Sequence, residues 1–262
     1  MNREILYLAH ATVFGLAFLA LMLAASEAGF RLGRRPNQQT RENAQSQIST
    51  IEAGILGVLG LLLGFTMSMA VTRFEMRKQL VLEEANAIRT AHLRTQLLHA
   101  NEGQEIADLL RAYVKTRIPS DIDRPVYDQI AAGRQEAVRL QNAFWQRALV
   151  YGQRAPNPEL AGLLLQSLNK VIDLDAARWM AFQDQVPGAV ICVIAAVGLL
   201  AAMVVGYTFG LGGLRQPFSI SVLSLAITLV LAVIIDLDWP HEGIIRVSQQ
   251  PMLDLQKQLH SR

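Results

Sequence analysis

Four long stretches of the chain contain no Asp, Glu, Lys or Arg, and charged residues separate them. The stretches are residues 5–26, 53–72, 185–214 and 216–235. A helix needs about 20 mostly apolar residues to cross the hydrocarbon core of a bilayer. Each stretch reaches that length, whereas helices buried in soluble proteins rarely stay uncharged for so long. The pattern therefore predicts four transmembrane helices.

The first apolar stretch has a second interpretation, as a cleaved signal peptide. Its positively charged region is limited to Arg3 beside Glu4. Its apolar run is longer than the roughly 7–15 residues of a signal peptide. An uncleaved first transmembrane helix is therefore favoured over a leader.

The segment between the second and third stretches, residues 73–184, carries most of the charge and has helical periodicity. Helices are predicted over residues 75–99, 105–118, 125–150 and from Pro158 onward. Residues 101–103 are expected to separate the first of these helices from the second, and Pro187 is expected to mark a kink or a helix boundary. Strand-like alternation and internal repeats are absent. The chain is therefore predicted to be an all-α membrane protein, with a large helical extramembrane domain between transmembrane helices 2 and 3.

The predicted domain boundaries follow these patterns. Residues 1–74 hold transmembrane helices 1 and 2, and residues 75–185 form the helical extramembrane domain. Residues 186–236 hold transmembrane helices 3 and 4. Residues 237–262 form a C-terminal segment that is expected to pack on the helical domain.

Composition narrows the function classes. Hydrophobic residues make up 52% of the chain and charged residues 18%, against about 25% charged residues in soluble domains. The net charge of +2 gives no basic stripe of the kind that binds nucleic acid. A single cysteine, Cys192, excludes an intramolecular disulfide framework and a cysteine-based metal site. The phosphate-binding glycine loop, the GxSxG elbow and the HExxH motif are all missing, so we do not expect an enzyme.

Arginines lie on both sides of the predicted membrane. Four spans place both chain ends and the helical domain on one side. The opposite side carries Arg31, Arg34, Arg35, Arg41 and Arg215, and the domain side carries Arg3, Arg73, Arg77, Lys78, Arg89, Arg178 and Arg246. An excess of Lys and Arg near span ends marks the cytoplasm. Because both sides are basic, charge alone leaves the orientation open.

Small residues gather on one face of the second span. At about 100° per residue they fall within one third of the helix circumference. They are Gly54, Gly57, Gly60, Gly64 and Ser68. Such a face lets helix backbones approach closely, which is one interpretation. In the other, the helix lines a pore that Phe65 or Met69 narrows into an apolar constriction able to gate by dewetting.

Charged residues follow the second span without a break signal, so one long helix is expected to leave the membrane and enter the helical domain. Glu83 and Glu84 lie between basic residues and are interpreted as a solvated or salt-bridged helix face. A basic ring at a pore mouth favours anions. Arg73 is the nearest candidate for such a ring, and Glu75 argues for the opposite preference.

A polar cluster ends the fourth span. It comprises Asp236, Asp238, Trp239, Pro240, His241 and Glu242. Oxygen ligands suit calcium, so Asp236 and Asp238 are candidate metal ligands. Their spacing matches no EF-hand loop or zinc signature. The alternative is a structural corner in which one of these carboxylates pairs with an arginine.

Two sequence blocks, residues 60–91 and 236–255, together with four spans around a helical domain, resemble the bestrophin-like membrane proteins. This bacterial family is named for its distant similarity to bestrophin chloride channels, and the resemblance covers essentially the whole chain. It implies a homo-oligomer, with a pentamer favoured, in the bacterial inner membrane and with the helical domain in the cytosol. It also implies that the second transmembrane helix lines an anion-conducting pore with an apolar neck.

On this resemblance the pore-lining candidates are Gly57, Gly60, Gly64, Phe65, Ser68, Met69 and Arg73. The lipid bilayer, a second copy of the chain and small inorganic ions are the expected partners, and no nucleic acid is expected. No cofactor is expected other than calcium at the acidic cluster. Trp239 and Pro240 interrupt that cluster, whereas the eukaryotic channels have a continuous acidic run. The resemblance therefore does not imply that calcium gates this protein. The alternative function is a non-conducting membrane scaffold or regulator whose helical domain binds a protein partner.

Overall fold

The computed structural model describes residues 3–35, 38–118, 126–155, 157–213, 215–239 and 244–260. Within these ranges it contains α-helices and no strand. The helices are α1 (Arg3–Gly33), α2 (Gln38–Thr95), α3 (Ala100–Thr116), α4 (Val126–Arg154), α5 (Pro158–Gln183), α6 (Gly188–Gly212), α7 (Pro217–Asp238) and α8 (Gln250–His260). Four helical stretches in the described part of the chain are long and apolar enough to cross a membrane. The prediction of an all-α fold with four spans is confirmed.

The chain divides into two compact units. The membrane unit comprises Met1–Thr72 and Gln185–Ile245, and it contains all four charge-free stretches. The helical unit comprises Arg73–Asp184 and Arg246–Arg262. Helix α2, with 58 residues, contributes to both, as expected from the missing break signal after the second span.

Helices α1 and α6 of the membrane unit are in backbone contact. A Cβ atom built on Gly29 would lie 1.9 Å from the carbonyl oxygen of Met203, and one on Gly206 would lie 2.0 Å from that of Ser26. No side chain fits in that space, so only glycine allows these helices to come so close. Around this pair the apolar core of the unit forms, with Phe18, Met22, Leu59, Ile194, Ala201, Ala202, Ile227 and Leu231 buried.

The helical unit is a bundle in which α3, α4, α5 and α8 pack with the second half of α2. Tyr113 and Phe144, both fully buried, meet edge to face with ring centroids 6.1 Å apart. Further core residues include Ile88, Ile106, Leu110, Leu164, Leu168 and Met252.

Two predicted helix boundaries differ from the structure. Helix α2 ends at Thr95 and α3 begins at Ala100, so the break precedes residues 101–103, and the predicted break there was wrong. Gly103 lies inside α3, where an added Cβ would lie 2.4 Å from the carbonyl oxygen of Thr95. Gly103 therefore allows α3 to approach the end of α2 closely, and it does not terminate a helix.

The remaining boundaries lie closer to expectation. Helix α4 begins at Val126, Pro125 being outside the described residues, and it continues through Gly152 to Arg154. Helix α5 begins at Pro158, and the Asn157 side chain accepts hydrogen bonds from the backbone N–H groups of Glu159 and Leu160. Pro187 is a boundary, because it directly precedes α6.

Candidate pore helix and acidic corner

One side of α2 in the membrane unit is covered by its own chain and the other side is open. Leu59, Thr66 and Ala70 are buried. On the opposite side, 69% of the Phe65 surface and 42% of the Met69 surface are exposed. Gly57, Gly60, Gly64 and Ser68 are exposed as well. Six of the seven pore-lining candidates therefore lie on the exposed half of α2, with Gly57, Gly60, Gly64 and Ser68 within about 80° of one another and Phe65 and Met69 beside them.

The glycines of this face touch nothing in the part of the chain that the structure describes. A Cβ built on Gly54, Gly57, Gly60 or Gly64 would find no atom within 4 Å. Gly29 and Gly33 of α1 and Gly206 and Gly210 of α6, in contrast, press on backbone atoms. Within the described residues, close packing of helix backbones is therefore the role of glycines in α1 and α6, and the α2 glycines remain candidates for lining a pore or for packing against another copy of the chain.

Arg73 stands apart from the other candidates. It lies about 160° around α2 from Gly57 but only about 40° from Met69 at 100° per residue, and it differs from the other six in burial, because only 19% of its side chain is exposed. Its guanidinium Nε is 3.4 Å from the Asp184 carboxylate. Arg77, one turn further, donates hydrogen bonds to the carbonyl oxygens of Ala181 and Asp184, at 2.9 and 2.7 Å. Both arginines thus hold the carboxyl end of α5, where unpaired carbonyl groups favour cations.

Asp236 and Asp238 form an acidic corner at the end of α7, and their carboxylates accept hydrogen bonds from backbone N–H groups. The two carboxylate oxygens of Asp236 accept hydrogen bonds from the N–H groups of Ile244 and Ile245, both at 2.8 Å. The Asp238 carboxylate accepts the Val186 N–H, at 2.9 and 3.0 Å, shortly before α6 begins. These bonds fix the end of α7 against two segments of the membrane unit.

Metal binding at this corner stays a prediction. His241 and Glu242 lie outside the described residues. Among the described residues, no group of three or more His, Cys, Asp or Glu side chains is arranged to hold a metal ion.

Sequence analysis missed a buried ionic cluster in the helical unit. Glu84 of α2 has no exposed surface. Its carboxylate lies 2.8 Å from Arg117 Nε and 2.8 Å from Arg178 Nη1, and it accepts a hydrogen bond from the Tyr113 hydroxyl at 2.7 Å. The expected salt-bridged face is therefore present, but at Glu84 it faces the core rather than solvent.

The cluster continues beyond Glu84 and joins five segments. Arg117 Nη1 is 2.8 Å from the Asp175 carboxylate, which also accepts a hydrogen bond from Gln141 at 3.0 Å. Arg178 donates to the side-chain oxygen of Gln249, just before α8, at 2.6 Å. Two carboxylates and two guanidiniums thus compensate each other, which a buried charge requires.

Burial and the neighbouring charges shift the pKa of Glu84 in opposite directions. Burial alone raises the pKa of Glu84, but Arg117 and Arg178 outweigh it and hold the pKa below its ordinary value. Burial, and then the Glu84 carboxylate, raise the pKa of Tyr113 well above its ordinary value. Both groups therefore keep their usual charge state at neutral pH.

A signal for this cluster was present in the sequence. Glu84 shares helical spacing with the buried apolar residues Val81, Ile88 and Ala91. A charged residue on the apolar side of a helix is nearly always paired.

Comparison with known proteins places the chain in a family. The model of the Bestrophin-like domain matches residues 19–252. A variant of the bacterial bestrophin homologue from Klebsiella pneumoniae superimposes with a TM-score of 0.71 at 15% identity, over 96% of this chain and 97% of that chain. The structure of that homologue solved by Zn-SAD phasing gives a TM-score of 0.68 at 15% identity, over 94% and 97%. No curated protein matches the chain.

Fold and sequence together define a multi-pass helical membrane protein with an interposed helical unit. The chain belongs to the bestrophin-like family. Membership of this family supports a channel function in general, and the four apolar spans agree with a location in the membrane. The resemblance drawn from residues 60–91 and 236–255 is confirmed.

Proposed function

We propose that the chain forms a homo-oligomeric ion channel whose pore is lined by the open face of α2. The observation that carries this proposal is that face itself, a run of glycines and exposed apolar side chains that none of the described helices of the same chain covers. Several copies arranged around an axis would turn this face inward and leave room along the glycines.

Phe65 and Met69 form the apolar neck in this proposal. Both are large, exposed and close to the carboxyl end of the charge-free stretch 53–72. Rings of such side chains make a constriction that excludes water until it widens. The family resemblance supports a pentamer in the bacterial inner membrane with the helical unit in the cytosol.

Ion flux into liposomes that contain purified protein tests the proposal. We expect Phe65→Ala to raise the flux several-fold because it widens an apolar constriction. Phe218→Ala is the matched control, since Phe218 is an exposed phenylalanine of α7 (81%) in the same unit, and it should leave the flux unchanged. If the wild-type protein passes neither chloride nor sodium at any pH or calcium concentration, the proposal fails and a non-conducting scaffold takes its place.

Anion preference rests on the family resemblance. Arg73, the basic candidate for this preference, is mostly buried and offset by Asp184. Glu75 is the next charged residue along α2, and 61% of its side chain is exposed. We therefore expect Arg73→Gln to leave the reversal potential nearly unchanged and Glu75→Gln to shift it towards anions. A large shift with Arg73→Gln alone would restore Arg73 as the selectivity residue.

A further inference from the structure

Arginines concentrate at one end of the membrane unit, where α1 ends and α6 connects to α7. The channel proposal makes no use of them. They are Arg31, Arg34 and Arg35 at the end of α1, and Arg215 in the short connection before α7. We call these four residues the arginine cluster.

The Glu27 carboxylate forms ion pairs with two members of the cluster. Glu27 Oε1 is 2.8 Å from Arg31 Nε and 3.2 Å from Arg215 Nη2. The Arg31 side chain is 75% exposed and that of Arg215 is 63% exposed. Because a guanidinium has five N–H donors, both keep donors directed towards the surroundings. Two largely exposed arginines that share one carboxylate leave an excess of positive charge at Arg31 and Arg215.

An aromatic ring and close helix packing hold the cluster in place. The Arg215 guanidinium lies 4.9 Å from the centroid of the Phe30 ring, and that of Arg34 lies 5.9 Å from it. Phe30 itself is buried, at 4% exposure. A Cβ built on Gly33 would lie 2.3 Å from the carbonyl oxygen of Tyr207. The end of α1, which carries Arg31, is therefore fixed against α6, and the Phe30 ring holds the guanidiniums of Arg34 and Arg215 close to it.

Arg31 and Arg215, the two members of the cluster that share Glu27, lie at the depth of lipid headgroups. The first charge-free stretch ends at Ser26, and Arg31 follows about 7 Å further along the helix at 1.5 Å per residue. The headgroup layer is about 5–8 Å deep on each side of the hydrocarbon core. Arg215 is the one charged residue between the third and fourth stretches, so it marks the same boundary.

We propose that the arginine cluster is a binding site for the phosphate headgroup of an anionic phospholipid. Guanidinium groups match phosphate oxygens with paired hydrogen bonds, and basic residues at this depth attract anionic lipids. The site is independent of ion conduction and of the side of the membrane that it faces.

Native mass spectrometry of the detergent-purified full chain, titrated with phosphatidylglycerol or phosphatidylcholine, tests the site. Wild-type protein should retain phosphatidylglycerol preferentially. Each arginine near a lipid surface contributes about a fivefold gain in affinity, so Arg31→Gln combined with Arg215→Gln should weaken phosphatidylglycerol binding about thirtyfold. Arg139→Gln is the control, because Arg139 is an exposed arginine (69%) paired with Glu136 on the helical unit.

The single variants Arg31→Gln and Arg215→Gln, each about fivefold weaker, extend the test should the double variant not fold. Unchanged phosphatidylglycerol affinity in folded variants would overturn the proposal. So would complete competition by inorganic phosphate, which identifies a site for the free ion. Variants that lose the oligomeric state but keep their lipid binding would overturn it too, because the cluster would then contact a second copy of the chain.

Discussion

Glu84 is a residue at which burial and charge act in opposite directions. It has no exposed surface, yet it contacts two guanidiniums and a tyrosine hydroxyl. Glu84→Gln keeps the shape but leaves Arg117 and Arg178 buried with Asp175 as their remaining carboxylate in the cluster. We expect a loss of about 3–5 kcal/mol, because an uncompensated buried charge is costly. Thermal unfolding in detergent measures this loss, and a shift of less than 1 °C would contradict it.

Glu83, the neighbouring residue, provides the control for this variant. It is half-buried and accepts a hydrogen bond from Gln79 one turn away. Glu83→Gln should change stability by no more than about 0.5 kcal/mol. A loss as large as that of Glu84→Gln would mean that the buried cluster is not the cause.

The depressed pKa of Glu84 predicts how stability changes with acid. Its folded-state pKa lies below the ordinary value of 4.5, so the unfolded chain takes up the proton first. The contribution of Glu84 is therefore complete above about pH 4.5 and is lost as the pH falls through the folded-state pKa. Unfolding followed from pH 6 downward should show a steeper loss for the wild type than for Glu84→Gln. Parallel curves would exclude this residue as a source of acid sensitivity.

At the scale of the helices, sequence predicted the spans well but could not assign the glycines. A bilayer demands long uncharged helices, so four such stretches were enough to identify four spans. Glycines four residues apart occur in three helices, as Gly29 and Gly33, Gly60 and Gly64, and Gly206 and Gly210. Sequence spacing does not say which of these helices meet. Only the packed chain separates the buried pairs of α1 and α6 from the open pair of α2.

The same kind of limit applies to the polar residues. Helical periodicity places Glu84 on its helix, but the partners of its carboxylate lie 29 to 94 positions away in the sequence. Asp236 and Asp238 are candidate metal ligands by sequence because carboxylates bind cations. The structure adds that these carboxylates accept hydrogen bonds from backbone N–H groups, which no sequence pattern indicates.

Two alanine variants separate the two kinds of glycine. Gly206→Ala would place a Cβ 2.0 Å from the carbonyl oxygen of Ser26, so α1 and α6 must move apart. We expect a loss of about 3 kcal/mol or more. The added Cβ of Gly60→Ala meets nothing among the described residues of its chain, so this variant should raise stability by about 0.5–1 kcal/mol, since alanine favours the helix. Thermal unfolding of both variants measures these effects, and equal losses would contradict the assignment.

At the scale of the whole molecule, the open face of α2 predicts how copies of the chain meet. If this face surrounds a narrow pore, equivalent Phe65 residues of neighbouring copies lie close together. In a Cys192→Ser background, Phe65→Cys should then form a disulfide-linked dimer under mild oxidation, because a disulfide needs Cα atoms within about 7 Å. A pentamer leaves one copy in five without a partner, so dimer formation should stop at about four fifths of the protein. Val222→Cys is the control on α7, at an exposed apolar residue (50%) of the same unit, and it should remain monomeric. Equal cross-linking of both variants, or none with Phe65→Cys, would rule out a narrow ring with α2 at its centre.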